Sequence, residues 1–159
     1  MEKDYINWSW YDFIVRKSMI KKIEEDKFKP DVVVGVMRGG MIPAIMISHH
    51  FDVPCLALPL SFRDHCDNKL DDFASIHLHN QNILYVEDIV DSGKTMGELQ
   101  KYVEGCMNFY PAEKVKPSIK YAALWYNTSQ PVKVDYFSLA FDRSVDDTWF
   151  VYPYEKDAR

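Results

Sequence analysis

Three carboxylates, two hydroxyls and one glycine fall within the stretch Glu87-Asp88-Ile89-Val90-Asp91-Ser92-Gly93-Lys94-Thr95. A small polar loop that opens a helix can hold a phosphate dianion with its amides and hydroxyls. An adjacent acid pair can hold sugar hydroxyls or a hard cation. Together they predict a site for a phosphorylated sugar. Gly93-Lys94-Thr95 invites comparison with a triphosphate-binding loop, but that loop needs a glycine five positions earlier, where this chain has Asp88. A carboxylate there would face the triphosphate, so that class is excluded and a single phosphate is retained. Asp91 or Ser92 alone would read as an ordinary helix N-cap; the preceding Glu87-Asp88 gives the loop its functional reading.

The elements around this run must position it. Ile83–Val86 is an apolar strand, and a helix is predicted from Ser92 to about Asn108, with Met96, Leu99, Val103 and Cys106 on one face. Asp31 to Met37 reads as a fully buried strand, Arg38-Gly39-Gly40 as a turn, and Pro43 as the first turn of a helix reaching His50. Upstream, Trp10, Phe13, Ile14, Ile20 and Ile23 mark the apolar face of a helix over 10–25, with Ser9 as its N-cap. Cys55–Ser61, Ile119–Trp125 and Val134–Phe141 are further strands, and Ile76–Leu78 a short one. Residues 62–81 are polar and turn-rich, the pattern of a functional lid. Alternating apolar strands and helices predict an α/β fold with a central, largely parallel sheet. Ligands bind such sheets beyond the carboxyl ends of the strands. Arg38-Gly39-Gly40 and the 87–95 run both fall there, so one cleft should join them.

At 159 residues, 47% hydrophobic and 27% charged, the chain is predicted to be one globular domain over 1–159. A net charge of −5 with no basic run argues against a nucleic-acid partner. Cys55, Cys66 and Cys106 are few and scattered, which suits a reducing compartment. The N-terminal residues lack an apolar secretion signal and no stretch is long enough to span a membrane, so a cytoplasmic location is expected. His77 and His79 alternate as on a strand face with no further metal ligand in place. His65-Cys66 lacks a third group to orient a nucleophile.

Ile83 to Thr95 resembles the signature for phosphoribosyl pyrophosphate (PRPP) in type I phosphoribosyltransferases. Val34 to Pro43 resembles that family's pyrophosphate loop. Asp147 to Glu155 resembles the C-terminal hood, mainly 142–159 here, of bacterial xanthine-guanine and hypoxanthine enzymes. The resemblance implies transfer of a 5-phosphoribosyl group from PRPP to a purine base (guanine, xanthine or hypoxanthine) with Mg²⁺, in purine salvage. It implies Arg38, Gly39 and Gly40 on pyrophosphate, Glu87 and Asp88 on the ribose and the metal, and Asp91, Ser92, Gly93, Lys94 and Thr95 around the 5′-phosphate. Asp91 would also act as general acid/base near N7 of the purine. Trp149 would stack on the base, with Phe150 and Val151 at its edge, and the 62–81 segment would close over PRPP. Relatives commonly form homodimers or homotetramers.

The 6-oxopurine members usually carry a lysine just after the strand matching 119–125. Here that position is Tyr126 or Asn127, which leaves either residue facing the base edge. Two other readings stay open: a phosphoribosyltransferase for another nucleobase, and a PRPP- or nucleotide-sensing module without catalysis.

Overall fold

The computed structural model describes residues 2–60, 74–79 and 81–156. Most of the lid expected over 62–81 therefore lies outside the described residues.

A five-stranded, all-parallel sheet forms the centre, in the order β3-β2-β4-β5-β6. Its strands are β2 (Val32–Val36), β3 (Cys55–Leu58), β4 (Asn82–Val90), β5 (Ser118–Asn127) and β6 (Tyr136–Phe141). The α/β fold with a central, largely parallel sheet expected from the sequence is the one observed. Side chains alternate between two cores. Val33, Leu84 and Val86 pack on one face of the sheet; Val32, Val34, Val36, Ile83 and Tyr85 pack on the other. Burial on both faces explains why β2 and the first half of β4 are continuous apolar runs.

The first face is covered by an N-terminal helix and by α3 (Met41–Phe51). The N-terminal helix runs as α1 (Trp8–Phe13), a π-helical stretch Ile14–Met19, and α2 (Ile20–Glu25). Its N-cap is Asn7, whose Oδ1 accepts from the Trp10 amide at 2.8 Å, and not Ser9. The wide π turn, in which the Ile20 amide bonds the Val15 carbonyl, brings Ile14, Val15, Met19, Ile20 and Ile23 to the sheet. Trp10 and Phe13, expected in the core, are instead 42% and 51% exposed and stack on each other at 5.3 Å. The second face is covered by α5 (Lys94–Asn108), through Met96, Leu99 and Val103, and by Ile76 of α4. The latter is a short helix, Ala74–His79, where a strand was expected. It buries His77, whose Nε2 lies 3.0 Å from the Tyr85 hydroxyl.

A two-stranded parallel sheet joins the chain ends: β1 (Lys3–Tyr5) pairs with β7 (Trp149–Val151), with Asp4 opposite Phe150. This pairing seats the aromatic C-terminal segment beside the carboxyl end of β4. No described helix is long and apolar enough to cross a membrane.

Candidate functional site

The strand order changes direction at β2. From β2 the chain moves outward to β3, then returns to place β4 on the opposite side of β2. Such a switch leaves a crevice outside the carboxyl ends of the two strands. Register brings Gly35 opposite Val86, so the turn after β2 and the acid pair of β4 lie at one level.

That turn is built for close approach. The Met37–Arg38 peptide bond is cis. The Gly40 amide bonds the Val36 carbonyl at 3.0 Å, and the Met41 amide bonds the Arg38 carbonyl at 3.2 Å. A Cβ on Gly39 would stand 1.9 Å from Asp88 Oδ2, and one on Gly40 would stand 2.4 Å from the Val86 carbonyl oxygen. Both positions need glycine for space.

β4 does not stop before the acids, as its sequence suggested. It runs to Val90, with Glu87 opposite Ala123 and Ile89 opposite Trp125. The facing alternation changes phase at this level, because Leu124 and Trp125 both pack into the first core. Glu87 is buried, only 8% exposed, and its Oε2 finds no hydrogen-bond partner among the described residues. Burial, and then the charge of Asp88, raise its carboxyl well above the usual carboxylate range. Asp88 accepts from the Tyr154 hydroxyl at 3.1 Å. Burial and the Asp88 charge hold that phenol firmly in its protonated, donating form.

After β4 the chain turns through Asp91-Ser92 into Gly93, whose φ of +74° is left-handed. α5 begins at Lys94, two residues later than expected, with Gly93 at its N-cap and no side-chain cap. Ser92 Oγ lies 3.5 Å from the Lys94 amide. Beyond this long contact the start of α5 carries no side-chain cap, the condition under which a helix N-terminus can take an anion.

These parts line one cleft of about 870 Å³: Arg38 and Gly39, Glu87 and Asp88, Asp91 through Thr95, and Trp149 and Phe150. Gly40 and Val151 are not on its wall; the Val151 carbonyl accepts from the Ile6 amide at 2.9 Å. Neither Tyr126 nor Asn127 lines it. Tyr126 donates its hydroxyl to the Val132 carbonyl at 2.9 Å. Asn127 is wholly buried: Nδ2 donates to the Asp91 carbonyl at 2.8 Å, and Oδ1 accepts from the Ser129 amide and hydroxyl and from the Arg143 amide. Its amide is spent on holding the loop, so the base-facing role expected for it is corrected to a supporting one.

Sequence reasoning missed Arg143, Tyr152 and Tyr154, which also line the cleft. Arg143 forks onto Asp91, Nε to Oδ1 at 3.0 Å and Nη2 to Oδ2 at 3.1 Å. The two residues are 52 positions apart, and nothing in the periodicity pairs them. The tyrosines flank Pro153 directly after β7, a spacing of two that could have marked them as one face. Their rings stack at 5.4 Å.

Among the described residues no cluster of three or more His, Cys, Asp or Glu could hold a metal unaided. Glu87 and Asp88 still fit Mg²⁺, which takes few protein carboxylates and completes its shell with water and substrate oxygens. The unpartnered, buried Glu87 Oε2 is the atom that such a shell would satisfy.

The cleft thus joins, beyond the carboxyl ends of an all-parallel sheet, two glycine-bearing turns and the acid pair between them. The chain belongs to the phosphoribosyl transferase domain family, which it matches over residues 8–159. Among solved structures it is similar to a purine phosphoribosyltransferase from Pyrococcus horikoshii Ot3, with 26% identity, a TM-score of 0.71, and coverage of 100% of this chain and 98% of that one. It is also similar to a Helicobacter pylori xanthine-guanine-hypoxanthine phosphoribosyltransferase (22% identity, TM-score 0.67, 98% and 95% covered). A hypothetical protein from Neisseria gonorrhoeae with bound ppGpp shares the fold at 18% identity and a TM-score of 0.72, with 98% and 90% covered. No curated protein matches the chain.

Proposed function

We propose that the protein transfers the 5-phosphoribosyl group of PRPP to a purine base carrying a 6-oxo group: guanine, xanthine or hypoxanthine. The products are a nucleoside 5′-monophosphate and pyrophosphate. The observation that carries this reading is the meeting of two anion loops, 38–40 and 91–95, on one acid pair, with Gly39 packed against Asp88. A sugar bearing phosphate at one end and pyrophosphate at the other requires that arrangement.

In the reaction the bond from C1′ to the pyrophosphate oxygen breaks and its electron pair leaves with pyrophosphate. A bond from C1′ to a ring nitrogen forms, and the nitrogen's proton departs. The transition state places positive charge on the ribose and negative charge on the leaving group, so preorganised charges count most. Arg38 would meet pyrophosphate with its fork, aided by the Gly39 amide. The loop from Asp91 to Thr95 would hold the 5′-phosphate at the start of α5. Glu87 and Asp88 would hold the ribose hydroxyls and Mg²⁺, which when bound neutralises charge on the leaving group. Trp149 would stack on the base, an aromatic face giving area at little entropic cost. Asp91 would stand near N7 to accept or return a proton; its two oxygens retain lone pairs beyond those used by Arg143. On the same reading the protein serves purine salvage in the cytoplasm as a homodimer or homotetramer.

The test is a PRPP- and Mg²⁺-dependent assay across hypoxanthine, guanine, xanthine, adenine and pyrimidine bases. Turnover of one or more 6-oxopurines is expected. Turnover of pyrimidines alone, or of nothing, refutes the proposal.

A further inference from the structure

Arg143 joins the loop that carries Asp91 to the segment that carries Trp149. A guanidinium has five N–H donors in a fixed plane and no acceptor. Here Nε and Nη2 fork onto Asp91, while Nη1 donates to the carbonyls of Thr148 at 2.7 Å and Asp146 at 3.3 Å. Nη2 has two N–H groups and, among the described residues, one acceptor, Asp91 Oδ2. The Phe141 ring lies 4.7 Å from the guanidinium carbon, and the backbone amide of Arg143 is held by Asn127 Oδ1 at 3.1 Å. Its side chain is 26% exposed, on the cleft wall. A fork held at so many points keeps its plane and its remaining donor fixed.

The ring of a purine stacked on Trp149 with N7 near Asp91 has little freedom. N7 and the C6 substituent share one edge of a purine, so the group beside Asp91 meets that substituent. A carbonyl oxygen there accepts from the guanidinium. An amino group there would set donor against donor, and an unpaired buried donor is the stronger basis for rejection. The geometry points to Arg143 as a specificity-determining residue that selects 6-oxo over 6-amino purines while positioning Asp91. This inference rests on the phosphoribosyl-transfer reading of the cleft and deepens it.

The test is calorimetric titration of the full chain with IMP and with AMP, for wild type, R143M, R143Q and R143K. Kinetics with hypoxanthine, adenine and PRPP run alongside. Wild type is expected to prefer IMP. R143M should shrink the IMP-to-AMP affinity ratio by about ten-fold or more, the loss expected for one charge-assisted hydrogen bond. Any rise in the KM for PRPP through the Asp91 loop falls on the 5′-phosphate, which IMP and AMP share, so the affinity ratio is the readout. R143Q, which can both donate and accept, should also erase the preference, and R143K, which only donates, should keep it at lower affinity. If R143M does not fold, R143Q and R143K decide. An unchanged ratio in R143M or R143Q, equal losses for both nucleotides, or no preference in wild type overturns the inference. The titration needs no turnover. An inactive wild type that loses its IMP preference in R143M would sink the enzymatic reading and leave Arg143 standing. Normal turnover with an unchanged preference would do the reverse.

Discussion

Gly39→Ala probes the contact between the turn after β2 and the acid pair of β4. The added Cβ would lie 1.9 Å from Asp88 Oδ2 and 2.3 Å from Asp88 Cγ, whereas ordinary contact begins at 3.4 Å. About 1.5 Å must therefore be found by the carboxylate or the turn. The carboxylate can swing away, but it then gives up the Tyr154 hydrogen bond at 3.1 Å, an interaction to a charged group worth about 1.5–3 kcal/mol. Alternatively the turn moves and takes Arg38 with it. Either route displaces a group assigned to PRPP by more than 1 Å, and misplacement on that scale costs about 10²-fold in rate. The expected result is a fall of about 10²-fold in kcat/KM for PRPP, with the unfolding free energy lowered by no more than the lost hydrogen bond's worth of about 1.5–3 kcal/mol. Gly40→Ala is the control. Its Cβ meets backbone oxygens of Val86 and Val36 at 2.4 and 2.6 Å, and sheet backbone cannot swing away. It should lower stability by about 1–3 kcal/mol, the usual range for overpacking. Steady-state kinetics and urea unfolding on both variants settle the matter. Gly39→Ala kinetics within about three-fold of wild type would refute the assigned contact between turn and acid pair.

Glu87→Gln should change the pH dependence of stability. The folded carboxyl holds its proton above its ordinary range, so between the unfolded and the raised folded value the native state binds more protons. Stability from this group is full below the unfolded value and is lost as pH rises toward the folded one. The variant should lose that decline, giving a flatter stability curve above about pH 4.5 in urea titrations; an unaltered slope refutes the shift. Asn127→Ala should cost about 3 kcal/mol in unfolding free energy, since it strips partners from the Asp91 carbonyl and from the Ser129 and Arg143 amides in a buried setting. A loss under about 1 kcal/mol would show that the amide is not the organiser described.

The buried strands were legible because burial on both faces leaves an unbroken apolar run, as in Val32 to Val36. The convergence of the Arg38 turn with the acid pair was legible from the rule for parallel sheets. The extent of β4 was not: two adjacent charges read as the end of a strand, while pairing with β5 carries the strand through them. Trp10 and Phe13 were misplaced because a π turn breaks the 3.6-residue period that was used to read them. Asn127 shows a deeper limit. A buried amide that holds a loop and one that faces a ligand have the same residue type and the same position after a strand, and only its partners distinguish them. Arg143 stands in a polar turn with no periodicity, so its pairing with Asp91 had no local signal.

The two ends of the cleft differ in how they are held, and this has consequences for how substrate choice can change. At the end assigned to PRPP the close contacts are between β4 and the turn that directly follows β2: Gly39 on Asp88, Gly40 on the Val86 carbonyl. Neighbouring strands of one sheet cannot drift apart without breaking their pairing, so a site built there resists substitution. At the acceptor end Asp91 is fixed from outside its own strand. Asn127 of β5 holds its carbonyl and Arg143, beyond β6, holds its carboxylate. The carbonyl of Thr148, next to Trp149, accepts from that same guanidinium. Of these ties, Arg143 is a side chain on a turn beyond the last strand of the sheet, free to vary without disturbing the sheet. On the proposed function, changes in acceptor preference are therefore expected at Arg143 and around Trp149, while the residues assigned to PRPP stay bound to the geometry of the parallel sheet.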